Sequence, residues 1–276
     1  MKRACVIGWP IAHSRSPLIH GYWLRKYGID GSYTKEPVRP EDLHQFLASL
    51  KDRGFAGCNV TVPHKEAAFA AAEIRDPSAL AVGAANTLWF EGAALACANT
   101  DTYGFMANLE RSAPAWQKVP GPVLVLGAGG SARAVIYGFL DAGRDDIRVF
   151  NRTSDRAQDI ARHFGARVTA WPWEVRNDHV GQASIMVNTT TLGMNGIGDP
   201  GLDLSRARKD AVLTDLVYVP LETPLLRSAR THGLVGVDGL GMLLHQAVPG
   251  FEMWFGIRPD VTPELYALVA ENIREA

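Results

Sequence analysis

The amino-acid sequence predicts an α/β protein composed of two domains. Its 276 residues exceed what a single hydrophobic core commonly organises. Short apolar segments alternate with segments of helical periodicity along most of the chain, which is the pattern of sheets covered by helices. A loose stretch at residues 112–122 contains three prolines and separates two such series. We therefore expect a domain boundary near residue 110.

The first domain begins with a predicted strand at residues 3–7 and a helix that starts at Ser16-Pro17 and stops at Gly28. Serine caps a helix, proline suits its first turn, and glycine accepts the left-handed conformation at its end. Glu91-Gly92 separates two apolar segments, which predicts a hairpin and hence an antiparallel edge in a mostly parallel sheet. The hairpin strands are predicted at 86–90 and 93–98. The other predicted elements are strands at 31–38 and 55–62 and helices at 40–53 and 63–74.

The second domain begins with the most apolar strand of the chain, residues 123–126. The elements predicted after it are helices at 131–142 and 155–164 and strands at 147–150 and around residues 185, 212 and 234. Such a series predicts a doubly wound Rossmann-type sheet. Beyond residue 237 only helices are predicted, and they need another surface on which to pack. We place them on the first domain, so the predicted domains are residues 1–110 with 238–276, and residues 111–237.

The composition excludes several classes of protein. A formal net charge of −1 with dispersed lysines and arginines argues against a nucleic-acid partner. No apolar run approaches the ~20 residues needed to span a bilayer. Cys5, Cys58 and Cys97 lie far apart in apolar segments, as reduced thiols do, and the eight histidines form no known metal-ligand spacing. We therefore expect a cytoplasmic protein that binds no metal, nucleic acid or membrane.

A glycine-rich segment, Gly127-Ala128-Gly129-Gly130-Ser131-Ala132, follows a predicted strand and opens a predicted helix. In that context it matches the G-x-G-x-x-G/A dinucleotide fingerprint. Gly127 permits a tight turn, Gly129 allows close approach of a diphosphate, and Ala132 lets helix and strand pack closely. The diphosphate would lie at the positive end of the helix. The alternative is an ordinary glycine-rich turn without a ligand.

The next predicted strand ends in Asn151-Arg152-Thr153, where an NAD-binding domain usually places an acidic residue. Arg152 and Arg156 could instead bind the 2′-phosphate of NADP, because guanidinium groups match phosphate oxygens in pairs. This segment favours NADP over NAD. The alternative is that both arginines are ordinary surface residues at the start of a helix.

Four polar clusters of the first domain follow or interrupt apolar strands, where loops usually carry function. Together they offer hydroxyl and amide groups, one amine and one carboxylate, a set that suits a small polyhydroxylated carboxylate. Each residue also has an ordinary structural explanation: Ser16 and Asp101 as helix caps, Asn59 and Asn86 as turn residues, Lys65 as a solvated lysine. The clusters are Ser14-Arg15-Ser16, Asn59 to Lys65, Gly83 to Thr87 and Asn99-Thr100-Asp101.

Eight motifs in order and spacing resemble those of the shikimate dehydrogenase family: S-R-S, N-V-T-V-P-H-K, G-A-A-N-T, N-T-D, G-A-G-G-S-A, N-R-T-S-D-R, D-L-V-Y and G-L-G-M-L-L-H-Q. The resemblance covers almost the whole chain. It implies an N-terminal catalytic domain, a Rossmann-type NADP domain and a substrate cleft between them. The implied reaction is the reversible NADPH-dependent reduction of 3-dehydroshikimate to shikimate, on the route to chorismate and aromatic amino acids.

The resemblance also assigns residues. Lys65 is implied as the proton-transfer residue. The implied shikimate contacts are Ser14, Ser16, Asn59, Thr61, Lys65, Asn86, Asp101, Tyr218 and Gln246. The implied cofactor contacts are Gly127, Ala128, Gly129, Gly130, Ser131, Ala132, Asn151, Arg152, Thr153, Arg156, Leu216, Gly239 and Met242. One departure is Asn188-Thr-Thr-Thr191-Leu-Gly193-Met194, where such proteins often have N-A-T-S-x-G-M, and it affects only local contacts.

Lys65 and Asp101 are the amine and the carboxylate of the four clusters, so we assign them as a coupled acid/base and orienting pair. Burial lowers the pKa of a lysine and a nearby carboxylate raises it, and the sequence leaves this balance open. It also leaves open whether Asp101 transfers a proton or only orients Lys65. Gly239 and Gly241 could form a hinge, or they could permit a positive φ or a close approach of the cofactor.

Two other functions are compatible with the same motifs. One is a quinate/shikimate dehydrogenase of broader substrate or NAD use, and Arg152 and Arg156 argue against its NAD-dependent version. The other is a non-catalytic sensor of shikimate, against which the intact Lys65 and Asp101 argue. The expected partners are therefore small molecules, and the expected assembly is a monomer or a homodimer.

Overall fold

A computed structural model describes residues 1–275 of the chain. These residues form two compact units. The substrate unit, as we call it, comprises residues 1–104 and 244–269, and the cofactor unit comprises residues 105–243 and 270–275. The boundaries expected from the sequence, at residues 110 and 237, fall inside the cofactor unit near its two ends. Within the described range, no helix has the length and apolarity needed to cross a membrane.

Strands and helices alternate along the chain. The strands are β1 (Lys2–Gly8), β2 (Gly31–Pro37), β3 (Phe55–Val60), β4 (Ile74–Arg75), β5 (Thr87–Glu91), β6 (Ala94–Ala98), β7 (Val123–Leu126), β8 (Ile147–Asn151), β9 (Val168–Pro172), β10 (Ile185–Asn188), β11 (Val212–Asp215) and β12 (Val235–Val237). The α-helices are α1 (Ser16–Lys26), α2 (Leu43–Ser49), α3 (Lys65–Ala71), α4 (Pro77–Val82), α5 (Asp101–Ser112), α6 (Gly130–Asp141), α7 (Ser154–Phe164), α8 (Arg176–His179), α9 (Pro224–Thr231), α10 (Gly239–His245), α11 (Ala247–Phe255) and α12 (Pro263–Arg274).

The sheet of the substrate unit has the strand order β2-β1-β3-β5-β6-β4. β1 pairs in parallel with β2 and β3, and β5 pairs antiparallel with both β3 and β6. The predicted hairpin is present, but its predicted position at the sheet edge is wrong because β4 lies beyond it, parallel to β6. β4 has two exposed residues, too few to give a periodic signal, and the sequence pattern includes Ile74 in a helix.

Helices cover both faces of this sheet. On one face Cys5, Ile7 and Cys58 belong to a core shared with α2, α3 and α4. On the other face His20 and Trp23 of α1 contact Phe251 and Trp254 of α11 through their rings. The Trp254 indole N–H also donates to the carbonyl of Leu88 on β5, at 2.9 Å. The helix that follows residue 246 therefore packs on the substrate unit's sheet.

The sheet of the cofactor unit is parallel throughout, with the order β9-β8-β7-β10-β11-β12. This is the doubly wound order, so the Rossmann-type prediction is confirmed. Val123 and Val125 of β7 face a core with α5, α6 and α7, whereas Leu124 and Leu126 face a second core with α9. The order reverses between β7 and β10, and ligands of such sheets bind beyond the carboxyl ends of the strands at that point.

Five elements were not predicted, and one predicted helix is shorter. The missing elements are β4, the helices α4, α8 and α9, and β9, an edge strand whose residues after Val168 are largely exposed. The helix expected over residues 40–53 is a short 3-10 turn followed by α2. Exposed edge strands and short helices carry weak hydrophobic periodicity, which explains these differences.

Candidate active site

Lys65 and Asp101 form an ion pair in the substrate unit. Lys65 is the first residue of α3, Asp101 is the first residue of α5, and Lys65 Nζ donates to Asp101 Oδ2 at 2.7 Å. The two side chains are 30% and 16% exposed, so both retain access to solvent or a ligand. The structure thus brings together the amine and the carboxylate that the sequence singled out, although 36 positions separate them.

Asn86 holds the other oxygen of the carboxylate. Its Nδ2 donates to Asp101 Oδ1 at 2.9 Å, and its Oδ1 accepts from the backbone N–H of Thr100 at 2.8 Å. A backbone N–H can only donate, so the atom facing Thr100 is the amide oxygen and the NH₂ group must face Asp101. Each carboxylate oxygen of Asp101 therefore has its own donor, one from Asn86 and one from Lys65.

Asn59 is 5% exposed and uses its amide within the protein. Its Nδ2 donates to the carbonyl of Asn86 and to Thr87 Oγ1, both at 3.1 Å, and its Oδ1 accepts from the Tyr33 hydroxyl at 2.6 Å. Both amide hydrogens are thus engaged. This geometry favours a role in which Asn59 supports its neighbours rather than donating to a ligand.

The remaining expected substrate residues lie at several places. Ser14 and Ser16 precede and begin α1, where the Ser16 N–H donates to Ser14 Oγ at 3.3 Å. The helix-cap explanation of Ser16 is wrong, because Arg15 occupies the N-cap position. Thr61 follows β3, and its N–H donates to the carbonyl of Ile7 at 2.9 Å. Gln246 belongs to the substrate unit and Tyr218 to the cofactor unit.

Two buried aromatic residues lie behind this cluster. Burial raises the pKa of Tyr33 well above its ordinary value, which keeps its hydroxyl a donor to Asn59. His20 stacks on the Tyr33 ring with centroids 4.0 Å apart, and neither of its ring nitrogens has a hydrogen-bond partner among residues 1–275. Burial lowers the pKa of His20 to about 3, an effect that Asn59 partly opposes. The imidazole is therefore neutral at physiological pH.

The glycine-rich loop of the cofactor unit joins β7 to α6. Gly127 has φ +109°, and a Cβ there would lie 2.6 Å from Thr189 Oγ1, so the position requires glycine. Gly129 is the N-cap of α6, and no side chain of residues 1–275 caps this helix. Gly129, Gly130 and Ser131 are exposed, and a Cβ at either glycine would meet open space. The first-turn amides are thus available to an anion, which fits a diphosphate.

The end of β8 supplies the expected positive charge. Asn151 Nδ2 donates to the carbonyl of Thr153 at 2.8 Å and closes the turn that leads into α7. Arg152, Thr153 and Arg156 are exposed around this turn. The arrangement fits a phosphate on the adenosine ribose of a dinucleotide.

Gly239 and Gly241 allow two close approaches. A Cβ on Gly239 would overlap the carbonyl oxygen of Leu216, and one on Gly241 would overlap the side-chain amide of Asn108. Neither glycine is among those with positive φ. Close packing therefore explains both residues. Leu216 and Met242 are partly buried and pack against the core that contains β7.

Three family models match the chain. They are described as the shikimate dehydrogenase substrate binding domain at residues 6–88, shikimate / quinate 5-dehydrogenase at residues 116–216, and the shikimate 5'-dehydrogenase C-terminal domain at residues 239–263. A shikimate dehydrogenase (NADP(+)) of Brucella canis is 55% identical over 278 residues, covering 100% of this chain and 96% of the relative. The chain belongs to the shikimate dehydrogenase family.

Solved structures of the family agree with this assignment. Shikimate 5-dehydrogenase from Thermus thermophilus, in complex with NADP(H) and shikimate, is 36% identical with a TM-score of 0.84, covering 100% of this chain and 99% of that one. Quinate dehydrogenase from Corynebacterium glutamicum, in complex with NAD, is 28% identical with a TM-score of 0.90, covering 98% and 99%. Both backbones are similar to this chain, so the fold alone does not separate the two activities.

Sequence reasoning missed Asp215, at the end of β11. It is fully buried and accepts from Asn188 Nδ2 at 2.8 Å, Thr223 Oγ1 at 2.6 Å and the N–H of Val217 at 3.1 Å. Burial raises its pKa, and the hydrogen bonds from Thr223, Val217 and Asn188 oppose that shift. Asp215 is the first residue of the D-L-V-Y motif, from which the resemblance assigned only Leu216 and Tyr218.

The departure from the family pattern consists of Thr189 and Thr191, and the first of these has a local explanation. Thr189 Oγ1 donates to the carbonyl of Leu126 at 2.7 Å, so its hydroxyl satisfies a backbone group at the end of β7. Nothing in the structure explains Thr191. In the range 1–275, no cluster of three or more His, Cys, Asp or Glu side chains is suited to a metal ion.

Proposed function

We propose that this chain catalyses the reversible NADPH-dependent reduction of 3-dehydroshikimate to shikimate. The observation that carries the proposal is the Lys65–Asp101 ion pair, held by Asn86 in the unit that the substrate-binding family model matches. Relatives 55% identical to the chain carry the name shikimate dehydrogenase (NADP(+)). The reaction belongs to the route that supplies chorismate and aromatic amino acids.

Lys65 is the proposed proton donor. Hydride transfer to the ketone carbon is the chemistry that NADPH supplies when bound. The oxygen that develops negative charge needs a proton, and the Nζ of a charged Lys65 can donate it. In the reverse direction the neutral amine accepts the hydroxyl proton. Asp101 Oδ2 accepts a hydrogen bond from Lys65 Nζ at 2.7 Å and so fixes the position of the amine.

The substrate contacts and the domain assignment are part of the proposal. Ser14, Ser16 and Thr61 offer hydroxyl groups, and Asn86, Tyr218 and Gln246 offer further polar groups, whereas Asn59 acts through Asn86 and Thr87. We assign substrate binding and catalysis to residues 1–110 and 238–276, and cofactor binding to residues 111–237 with added contacts from Gly239 and Met242.

NADP is the proposed cofactor. The amides of the Gly127–Ala132 loop would hold the diphosphate, Arg152 and Arg156 the 2′-phosphate, and Leu216, Gly239 and Met242 would line the remaining surface. The two exposed guanidinium groups at the end of β8 support NADP over NAD.

Steady-state kinetics with shikimate and quinate, each with NADP and NAD, test the proposal. We expect the largest kcat/KM for shikimate with NADP. A larger value for quinate with NAD would favour the activity named for the Corynebacterium glutamicum structure. Binding of shikimate without turnover of any pair would indicate a sensor.

Location and assembly complete the proposal. All three cysteines are free and buried, as expected of a protein in a reducing compartment, and we propose a cytoplasmic location. Sedimentation analysis of the purified chain would distinguish a monomer from a homodimer.

A further inference from the structure

A chain of buried hydrogen bonds runs behind the Lys65–Asp101 pair. We call it the Asn86 network, and its members are Tyr33, Asn59, Asn86, Thr87, Thr100 and Asp101. Each bond between neighbouring members is 2.6 to 3.1 Å long. The network joins residues from β2, the end of β3, the start of β5 and the start of α5. It therefore couples four elements of the substrate unit to one carboxylate.

Asn86 is the member that touches the carboxylate, and its orientation depends on three donors. Its Oδ1 accepts from the Thr100 N–H, from Thr100 Oγ1 at 3.0 Å and from Thr87 Oγ1 at 3.1 Å. A reversed amide would place its oxygen against the Asp101 carboxylate and its NH₂ group against the Thr100 N–H. These donors therefore determine that an N–H faces Asp101.

Thr87 is the junction of the network. Its Oγ1 accepts from Asn59 Nδ2 and lies within hydrogen-bonding distance of both Asn86 Oδ1 and Thr100 Oγ1. A hydroxyl has one hydrogen, and because the Asn59 NH₂ group donates to Thr87 Oγ1, the Thr87 hydrogen is available to donate to Asn86 Oδ1, the oxygen to which the Thr100 hydroxyl also donates. The side chain is 0% exposed, so it acts only through its neighbours.

We propose that Thr87 is a positioning residue for the proton transfer, because its hydroxyl holds the Asn86 amide and thereby aligns the Asp101 carboxylate with Lys65. The proposal rests on the proposed function of the Lys65–Asp101 pair. It concerns the chemical step, because Asp101 and Lys65 must be aligned when charge develops on the substrate oxygen. The Thr87 hydroxyl is uncharged and fully buried, so in this proposal it affects the reaction only through its hydrogen bonds to neighbouring side chains.

The test compares Thr87→Val, which keeps the shape but removes the hydroxyl, with Thr87→Ser, which keeps the hydroxyl. Thr87→Val should lower kcat for shikimate oxidation by about tenfold or more, the effect of a misaligned catalytic group, while KM changes less than about threefold. Thr87→Ser should retain kcat within about threefold of wild type. The matched control is Thr214→Val, another buried threonine, which lies on β11 of the cofactor unit and should leave kcat unchanged.

Tyr33→Phe provides a second variant that does not depend on the folding of Thr87→Val. It removes the donor to Asn59 Oδ1 while keeping the ring, and should lower kcat by about threefold with little change in KM. Circular dichroism and the dissociation constant of NADP, which binds the other unit, check that each variant is folded.

Three outcomes would overturn the proposal. Wild-type kcat in both Thr87→Val and Tyr33→Phe would remove Thr87 from the positioning of Asp101. A Thr87→Ser variant as impaired as Thr87→Val would mean that side-chain volume, not the hydroxyl, is what matters. Absence of shikimate turnover by the wild-type chain would overturn the proposed function and the role of Thr87 with it.

Discussion

Two carboxylates, Asp101 in the substrate unit and Asp215 in the cofactor unit, both lie at an element end and both accept hydrogen bonds from an asparagine amide. Asp101 is 16% exposed and pairs with the ammonium of Lys65. Asp215 is fully buried, and the groups of Asn188, Val217 and Thr223 that donate to it are neutral. A carboxylate that positions a proton donor must contact that donor close to the ligand, and of these two carboxylates Asp101 is the one that pairs with an amine and is partly exposed.

We therefore expect burial alone to be a poor guide to catalysis in this chain. Burial raises the pKa of Asp215, the kind of perturbation that often marks active sites. Its donors, however, connect β10, the loop after β11 and the start of α9, so this carboxylate shapes the segment that carries Leu216 and Tyr218. Variants in both units test whether Asp101 serves catalysis and Asp215 serves structure.

Lys65→Ala should reduce kcat by about 10² to 10⁴-fold, because it removes the proposed proton donor. Substrate affinity should change far less, since a proton donor acts mainly in the transition state. Steady-state kinetics with shikimate and NADP measure both quantities, with Lys51→Ala, an exposed lysine of the same unit, as the control. A Lys65→Ala variant that keeps more than about a third of wild-type kcat would exclude Lys65 from the mechanism.

Asp101→Asn extends the same experiment to the pair. If the two residues act as a unit, the double variant should lose less activity than the product of the two single losses. Multiplicative losses would instead indicate independent roles. Equal kcat in wild type and Asp101→Asn would contradict the assignment of Asp101.

Replacing both Arg152 and Arg156 with alanine should lower kcat/KM for NADP but not for NAD, because only NADP has the 2′-phosphate. Each charge-assisted contact contributes about 1.5 to 3 kcal/mol, without full additivity for neighbours. The measurement is kcat/KM for both cofactors in the double alanine variant at one fixed ionic strength. Arg162→Ala, which removes an exposed arginine of α7 that pairs with Asp159, is the matched control.

An NADP:NAD preference that stays within about twofold of wild type would leave less than ~0.5 kcal/mol of discrimination to these arginines. The NADP assignment from the end of β8 would then be wrong. A similar loss of preference in Arg162→Ala would point to the general charge of α7 rather than to a specific phosphate contact.

His20 of the substrate unit is a buried titratable residue without a charged partner, and its effect on stability should depend on pH. Its pKa is lowered from 6.5 to about 3, so as pH falls below 6.5 the unfolded chain takes up a proton that the folded chain does not. The free energy of unfolding should therefore decrease with falling pH. As the pH falls from about 7.5 to 5.5, His20 should lower the free energy of unfolding by about 1.4 kcal/mol.

Urea unfolding followed by tryptophan fluorescence measures this contribution as the difference in pH dependence between wild type and His20→Phe. Trp23 and Trp254 lie beside His20 and report on its surroundings. His44→Gln, at an exposed histidine, is the control. Parallel pH profiles for wild type and His20→Phe would show that His20 becomes charged in the folded chain.

Asp215→Asn should have the smallest effect and sharpens the contrast with Asp101. The new amide oxygen can accept from Asn188 and Val217, and the new NH₂ group can donate to Thr223 Oγ1. We expect kcat within about fivefold of wild type, or about 1 kcal/mol. A folded Asp215→Asn variant as inactive as Asp101→Asn would place Asp215 in the chemistry.

Sequence patterns alone were enough to predict the α/β class and the doubly wound cofactor unit, and they supplied the residues of the proposed site. Strand periodicity, the Gly127 loop and the polar clusters are local patterns, and local patterns are encoded by neighbouring residues. The same reasoning could not find β4, β9 or the buried Asp215, because short edge strands and a single carboxylate give no periodic signal.

Which of these residues meet depends on long-range contacts. Pairing of β3 with β5 places Asn59 opposite Thr87, and packing of the unit brings Lys65 at the start of α3 against Asp101 at the start of α5, 36 positions away in sequence. The tertiary structure also showed that Ser16 is not a helix cap and that the Asn59 NH₂ group donates to other residues of the protein. The physical reason is that a hydrogen bond depends on distance and direction to within fractions of an ångström, and strand register sets both.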